Sequence, residues 1–466
     1  MSYIHRRNIL RPYEQRLTVL LIILVANGGL LLRNRVDAAD YFNPNRAEVV
    51  SLKEKAWKDA VDAYKGDPKW QAGLYVDDPL HNGEPTFFEI WEPEVYTGTE
   101  SYQDNVDVLE RIHRQIEERT NGYECILIVG DQQTFDRMMK LKREHAQQYR
   151  HIIPFNGEMH FEVHFAHAGW RLWYDPIFNG LIQLYAPEQK VLKPDWTTKE
   201  WSYYDDFMFK FTSAAVRYLA DITPTNSLDY NLMLYHHRNN ATSLLLVRCV
   251  LDFALPYVQL RQLLRQTSTA ITRKQMLVYY NICMHMCRAD KANKFLYSML
   301  CVHAVYLYCN AIPSLKALWD HMSTVSLRGI RGRNIPIDHL CEKINKAAKG
   351  IVRGRPSEAR IKELVKALNV LMPVEAAYLN LIGGIDSEDK KYYSGKQNRE
   401  GDISRLVECL QQIVGQDNRA ATRPRRDNGF RQGFPGGEPG NPWELIQNKQ
   451  ADYVAYVRRM QADIGF

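Results

Sequence analysis

Residues 124–131 (ECILIVGD) constrain the chain more than any other segment: an unbroken apolar run is closed abruptly by Gly130 and Asp131. A run this short, without polar alternation, predicts a strand buried on both faces. Residues 132–149 then carry Phe135, Met138, Met139 and Leu141 among many charges, which predicts a helix. A second strand is expected over 151–155, closed by Asn156-Gly157, and a second helix over 159–173. Strand, helix, strand, helix is a βαβ order, which pairs its strands in parallel through a right-handed crossover. Ligands collect beyond the carboxyl ends of such strands, and Asp131 and Glu158 stand there in the sequence.

On either side the punctuation is helical. Residues 47–64 place Val50, Leu52, Ala56, Val61 and Tyr64 at helical spacing, with Gly66, Asp67 and Pro68 as the stop, and 102–118 predict another helix. Residues 228–322 hold little Gly or Pro and several long apolar stretches, which predicts an all-helical block of about four or five helices. Past Gly383 the periodicity fades, and residues 416–442 are rich in Arg, Gly, Pro and Asn, the composition of a disordered tail, before a last amphipathic helix over 442–460. The expected division is an apolar and basic segment at 1–50, a first core part at 51–230, a helical insertion at 231–325, closing core helices at 326–382 and a mostly disordered tail at 383–466.

An apolar fraction of 45% over 466 residues supplies a large core and excludes a wholly disordered, collagen-like or disulfide-stapled chain. The eight cysteines lie mostly within apolar helical runs without paired C-x-x-C spacing, as reduced core residues of a nuclear or cytoplasmic protein would. Cys283, His285 and Cys287 do not converge on one helix face, which argues against a metal there. Residues 17–32, apolar and preceded by basic side chains, resemble a secretory signal; Arg33 and Arg35 and the Asn27-Gly28-Gly29 interruption argue instead for a buried element.

Sixty Lys and Arg against 54 Asp and Glu leave a net charge of only +6. That excess is local. Residues 326–374 hold eleven basic side chains against four acidic ones, among them Arg328, Arg331, Arg333, Lys343 and Lys346, and the cluster flanks Glu342. A basic flank beside a carboxylate is where a phosphate backbone would be drawn in, so these five are the candidate nucleic-acid contacts. In the same stretch a helix is expected to start at Pro336, with Ile337, Leu340, Cys341, Ile344 and Ala348 inward. Asp338 and Glu342, four apart, share a face that suits either a metal or plain solvation. A separate metal pattern lies at His160, His164 and His167, spaced for one helix face and suggestive of a zinc hydrolase. Its core, H-F-E-V-H, is not the H-E-x-x-H of zinc proteases, because Glu162 points off the ligand face.

Three fragments, ILIVGDQQTFDRM, IIPFNGEMHFEV and SLRGIRGRNIPIDHLCEKINKAAKG, together resemble a widespread eukaryotic family related to transposable elements and catalogued as a domain of unknown function. In that family G-D-x-x-T, a G-x-x-H-like segment and G-x-N-x-x-x-D-x-x-x-E recur in this order, and the likeness covers about residues 85–360. The family looks like a remnant of DDE transposases, so the resemblance implies an α/β ribonuclease H-like core with a large all-helical insertion. It implies DNA as the partner, Mg²⁺ as the ancestral cofactor, and phosphoryl transfer on paired metal ions held by carboxylates. Carried over by motif, Asp131 matches the second acid and Glu342 the third, both as metal ligands, with Asp338 a weaker third. Glu158 and His160 fall where related transposases carry a histidine motif of structural or DNA-positioning character. No Asp-Asn-x-Asp run marks a first acid; Asp37, Asp40, Asp77 and Asp78 are generic candidates. With no zinc-finger or helix-turn-helix array either, the resemblance implies a degenerate or domesticated copy, with a non-catalytic nucleic-acid-binding or scaffold protein as the alternative.

Overall fold

The computed structural model of the chain describes residues 47–72, 126–130, 152–187, 192–193, 200–224, 229–265, 324–325, 335–340 and 387–420, with scattered positions over 103–149 and 359–367. The expected strand pair forms: β1 (Ile126–Gly130) lies parallel to β2 (Ile152–Asn156), with Ile126 opposite Ile152 and Gly130 opposite Asn156. The described positions from 103 to 114 and from 135 to 144 are helical, as the pattern predicts.

The α/β ribonuclease H-like core is overturned. Among the described residues β1 and β2 have no third strand, and the other pair, antiparallel, has two residues per strand. Helices make up nearly all the rest. The physical reason is that residues 158–265 carry their apolar side chains at a helical period over long stretches, so the core they build is helix packed on helix rather than helix on sheet, and of the strand pair Val129 packs against it.

Helix α1 (Ala47–Gly66) buries Val49, Ala56, Trp57, Ala60 and Val61 along one stripe. Directly after β2, α2 (Glu158–Trp173) runs into a π-helical turn (Tyr174–Phe178) and α3 (Asn179–Tyr185). Then come α4 (Trp201–Ile222), α5 (Tyr230–His236), and a continuous rod of α6 (Ala241–Cys249), a second π turn (Val250–Ala254) and α7 (Leu255–Arg265). Each π turn sits at a proline, Pro176 within the first and Pro256 just past the second. Proline lacks the N–H that the i→i−4 ladder needs and crowds the carbonyl before it; widening the turn to i→i−5, as Leu255 N–H to Val250 O does, relieves both.

The core is aromatic. Trp170 stacks on Phe178 at 4.5 Å and meets Tyr204 edge-on at 4.8 Å, while Phe165 lies edge-on to Phe253 at 5.7 Å. Residues 241–262 are apolar enough to cross a membrane by composition, but 78% of the most apolar window is buried inside the protein, as suits a core helix. Cys249 and Cys409 are buried free thiols, in keeping with core cysteines.

The expected loss of structure past Gly383 is also corrected, because Ser387–Ala420 is a 34-residue helix. It follows β3 (Thr324–Val325) and β4 (Ile335–Pro336) and is α8 here. Ile403, Leu406, Leu410 and Val414 recur every three or four residues and are buried, with Cys409 beside them; the charges between them mask that stripe in the sequence. Residues 421–466, with the rest of the expected tail, lie outside the described residues.

Ion pairs hold α8 to α4. Lys210 bonds Asp206 and Asp402, both at 2.7 Å, and Arg399 bonds Asp206 at 2.8 Å. Arg217 grips Glu400 with two nitrogens and the Trp70 carbonyl with two contacts, tying the segment that follows α1 to α4 and α8. The hydrogen bond from Arg217 is the main cause that holds the Glu400 carboxyl below its ordinary 4.5. A carboxyl lowered on folding contributes stability that is complete above the ordinary value and lost as pH falls through the folded one. Glu400→Gln is therefore expected to destabilise the protein at neutral pH and to lose that deficit below about pH 4.5. Denaturant midpoints of the two proteins across that range check it; a deficit constant with pH contradicts the role given to the pair.

Candidate functional site

The carboxyl ends of β1 and β2 lead to one point. Gly157 N–H donates to the Gly130 carbonyl at 2.7 Å, extending the strand pairing by one step, and α2 starts at the next residue. Gly157, at the N-cap position of α2, has no side chain to cap it. The cap comes from Asp338, 179 residues away: Oδ1 accepts from Met159 N–H at 3.2 Å and Oδ2 from His160 N–H at 3.1 Å. His160 Nδ1 lies 3.0 Å from the same Oδ2. A carboxylate on the first N–H groups of a helix satisfies orphan donors and the positive end of the macrodipole, typically worth about 1 kcal/mol.

Gly157 makes this approach possible. Its backbone, at φ −70° and ψ 135°, is ordinary extended chain, so conformation does not require glycine. Space does: a Cβ there would lie 2.2 Å from Asp338 Oδ2 and 2.6 Å from its Cγ. Asp338 is only 5% exposed, Ile337 and Leu340 are buried beside it, and Glu158 is buried in the first turn of α2. Pro336 pairs with Thr324 in β4 rather than opening the helix; the helical turn starts at Ile337.

So Gly130 of the first motif, Gly157 and His160 of the second and Asp338 of the third meet directly, although they are spread over more than two hundred residues. Asp131, Glu342, Arg328, Arg331, Arg333, Lys343 and Lys346 lie outside the described residues, as do Asp37, Asp40, Asp77, Asp78 and the Cys283–Cys287 segment. In the sequence Asp131 directly follows Gly130, and Glu342 stands four residues past Asp338.

Among the described residues no group of three or more His, Cys, Asp or Glu side chains is arranged to hold a metal ion. Neither the described part of the junction nor His160, His164 and His167 on α2 is such a group. His160 turns its ring to Asp338, and His164 and His167 sit half-buried further along.

Beside the junction lies a buried polar cluster that sequence reasoning missed. Arg261 of α7 bonds Glu162 of α2 at 2.6 Å and Asp205 of α4 at 2.9 Å. Glu162 is fully buried, and Tyr257 O–H donates to Asp205 at 2.6 Å. Burial, and then the charge of Asp205, pushes the Tyr257 phenol well above its ordinary value, so it stays protonated and donating. The sequence signal was present, since Glu162 and Arg261 each interrupt an apolar helical face, but nothing in a linear pattern states which charge meets which.

No curated protein and no solved structure matches the chain. Residues 98–238, the stretch that holds β1, β2 and helices α2 to α5, match the model of a family of unknown function (DUF6589).

Proposed function

We propose that the junction of the three motifs is the remnant of a metal-dependent phosphoryl-transfer site acting on DNA, in a transposase-derived protein that has become degenerate or domesticated. The observation that carries the reading is the meeting itself: Gly130, Gly157, His160 and Asp338 have no local reason to be together, yet they share one hydrogen-bonded corner at the carboxyl ends of two parallel strands. The candidate acids Asp131 and Glu342 follow closely on two of these residues, and the basic residues Arg328, Arg331, Arg333, Lys343 and Lys346 flank the third motif. In this reading Asp131 and Glu342 hold the Mg²⁺, which lowers the charge on the phosphate, and His160 keeps the α2 end in place.

A second reading, a nucleic-acid-binding or scaffold protein without catalysis, is favoured by one specific observation. Both Asp338 oxygens are engaged by the α2 N–H groups and His160, so this acid is spent on structure rather than offered to a metal. The reading places the protein in the nucleus or cytoplasm with DNA as partner.

A Mg²⁺-dependent nuclease and strand-transfer assay on duplex DNA separates the two. On the catalytic reading, Asp131→Asn and Glu342→Gln each reduce the rate by roughly a hundredfold or more. Equal rates in wild type and Asp131→Asn remove Asp131 from the mechanism. Binding that weakens steeply with salt, with no turnover in any protein, selects the non-catalytic reading.

A further inference from the structure

The peptide that carries Asp338 touches the helical body at a second point. His339, the next residue, lies 6.1 Å from the Trp201 ring at a tilt of 58°. Trp201 opens α4, and its indole carries the Arg261 guanidinium 4.7 Å from the ring centre. Its Nε1–H donates to the Tyr257 hydroxyl at 3.3 Å, and Tyr257 and Arg261 both bond Asp205. Arg261 also bonds Glu162, one turn along α2 from Glu158. The contacts close a circuit: Asp338 to the first turn of α2, α2 through Glu162 to Arg261, Arg261 to Trp201, Trp201 to His339, and His339 back to Asp338.

We infer that Trp201 and Arg261 are positioning residues, which set the third-motif peptide against the start of α2. The peptide needs such a support. Its own sheet pairing is two residues long, and the bonds from Met159 and His160 to one carboxylate tolerate little displacement before they weaken. The two-residue pairing of β4 and the buried Ile337 and Leu340 place the peptide on the body, and the ring contact at His339, adjacent to Asp338, opposes rotation of the carboxylate away from the two amides. A planar guanidinium stacked on an indole and forked to two carboxylates is a rigid base for that contact. The inference deepens the reading of the junction as a DNA site and rests on it only for its consequence in catalysis.

Amide hydrogen exchange of the full-length chain tests it, because Met159 and His160 N–H report directly on Asp338. Asp338→Ala is the reference for lost seating. Trp201→Leu is expected to speed exchange at Met159 and His160 by roughly tenfold, with amides in the second half of α4 unchanged. Trp201→Phe, which keeps a ring against His339, is expected to stay within about twofold of wild type, and adding Trp201→Leu to Asp338→Ala to give no further increase. Wild-type protection of the two amides in Trp201→Leu overturns the inference, and so does a uniform rise throughout α4 and α7, which is general loosening. The DNA assay fails separately: faster exchange in Trp201→Leu beside a wild type without nuclease activity keeps the positioning role and removes the catalytic reading.

Discussion

Replacing Arg261 by Met is expected to destabilise the protein by about 3–5 kcal/mol. The guanidinium is nearly inaccessible and holds Glu162, which is wholly inaccessible, and Asp205, which is mostly buried. Methionine keeps the length of the stem but leaves the Glu162 carboxylate inside the helical core without its cation. That carboxylate must then stay charged in a poor dielectric or take up a proton. The cost comes from the orphaned partner rather than from the pair, so the double variant Arg261→Met with Glu162→Met is expected to recover more than half of the loss. Denaturant midpoints of the two variants decide the point. A double variant as unstable as the single one would mean that the guanidinium acts mainly through Asp205 and Trp201.

Gly169→Ala is expected to destabilise the protein by overpacking. Its Cβ would lie 2.2 Å from Cε2, 2.4 Å from Cδ2 and 2.6 Å from Cζ of Phe253, inside contact distance of three atoms of one ring. A flexible side chain would swing away, but Phe253 is fully buried between Phe165 at 5.7 Å and Tyr257 at 6.1 Å. It also sits in the second π turn, beside the Lys53 and Asp252 ion pair at 2.6 Å, so its backbone has little room to retreat. Overpacking of this kind costs about 1–3 kcal/mol, and the upper end or beyond is expected here because ring and helix must move together. A thermal midpoint within a degree or so of wild type would show that α2 and the 241–265 rod slide apart cheaply.

Local elements were largely legible in the sequence. The strand over 126–130 was visible in an unbroken apolar run with a Gly-Asp stop, and α1 in its stripe from Val50 to Val61. The α2 start at Asn156-Gly157 was visible because turn residues punctuate periodic runs. The architecture was not legible. Two parallel strands suggest a sheet only if others join them, and whether the neighbouring layer is strand or helix depends on what packs there. α8 was hidden for the opposite reason, since its mean composition is polar and its buried stripe shows only once α3 and α4 supply a surface for it.

The three motifs show the same split. They singled out three segments, and Gly157, His160 and Asp338, which the structure brings together, all lie within them. Their roles came from elsewhere. Asp338 read as a solvated or metal-binding acid and proved to be the cap of a helix 179 residues away, while Gly157 read as a turn and proved to be the gap that admits the acid. The sequence by itself determined the local periods, the stops and which ionisable side chains each segment carries. Only the tertiary structure decided which charge meets which, because a buried ion pair or a cap between distant segments is selected by the desolvation cost of leaving either group alone, and that cost exists only after the helices have closed around it.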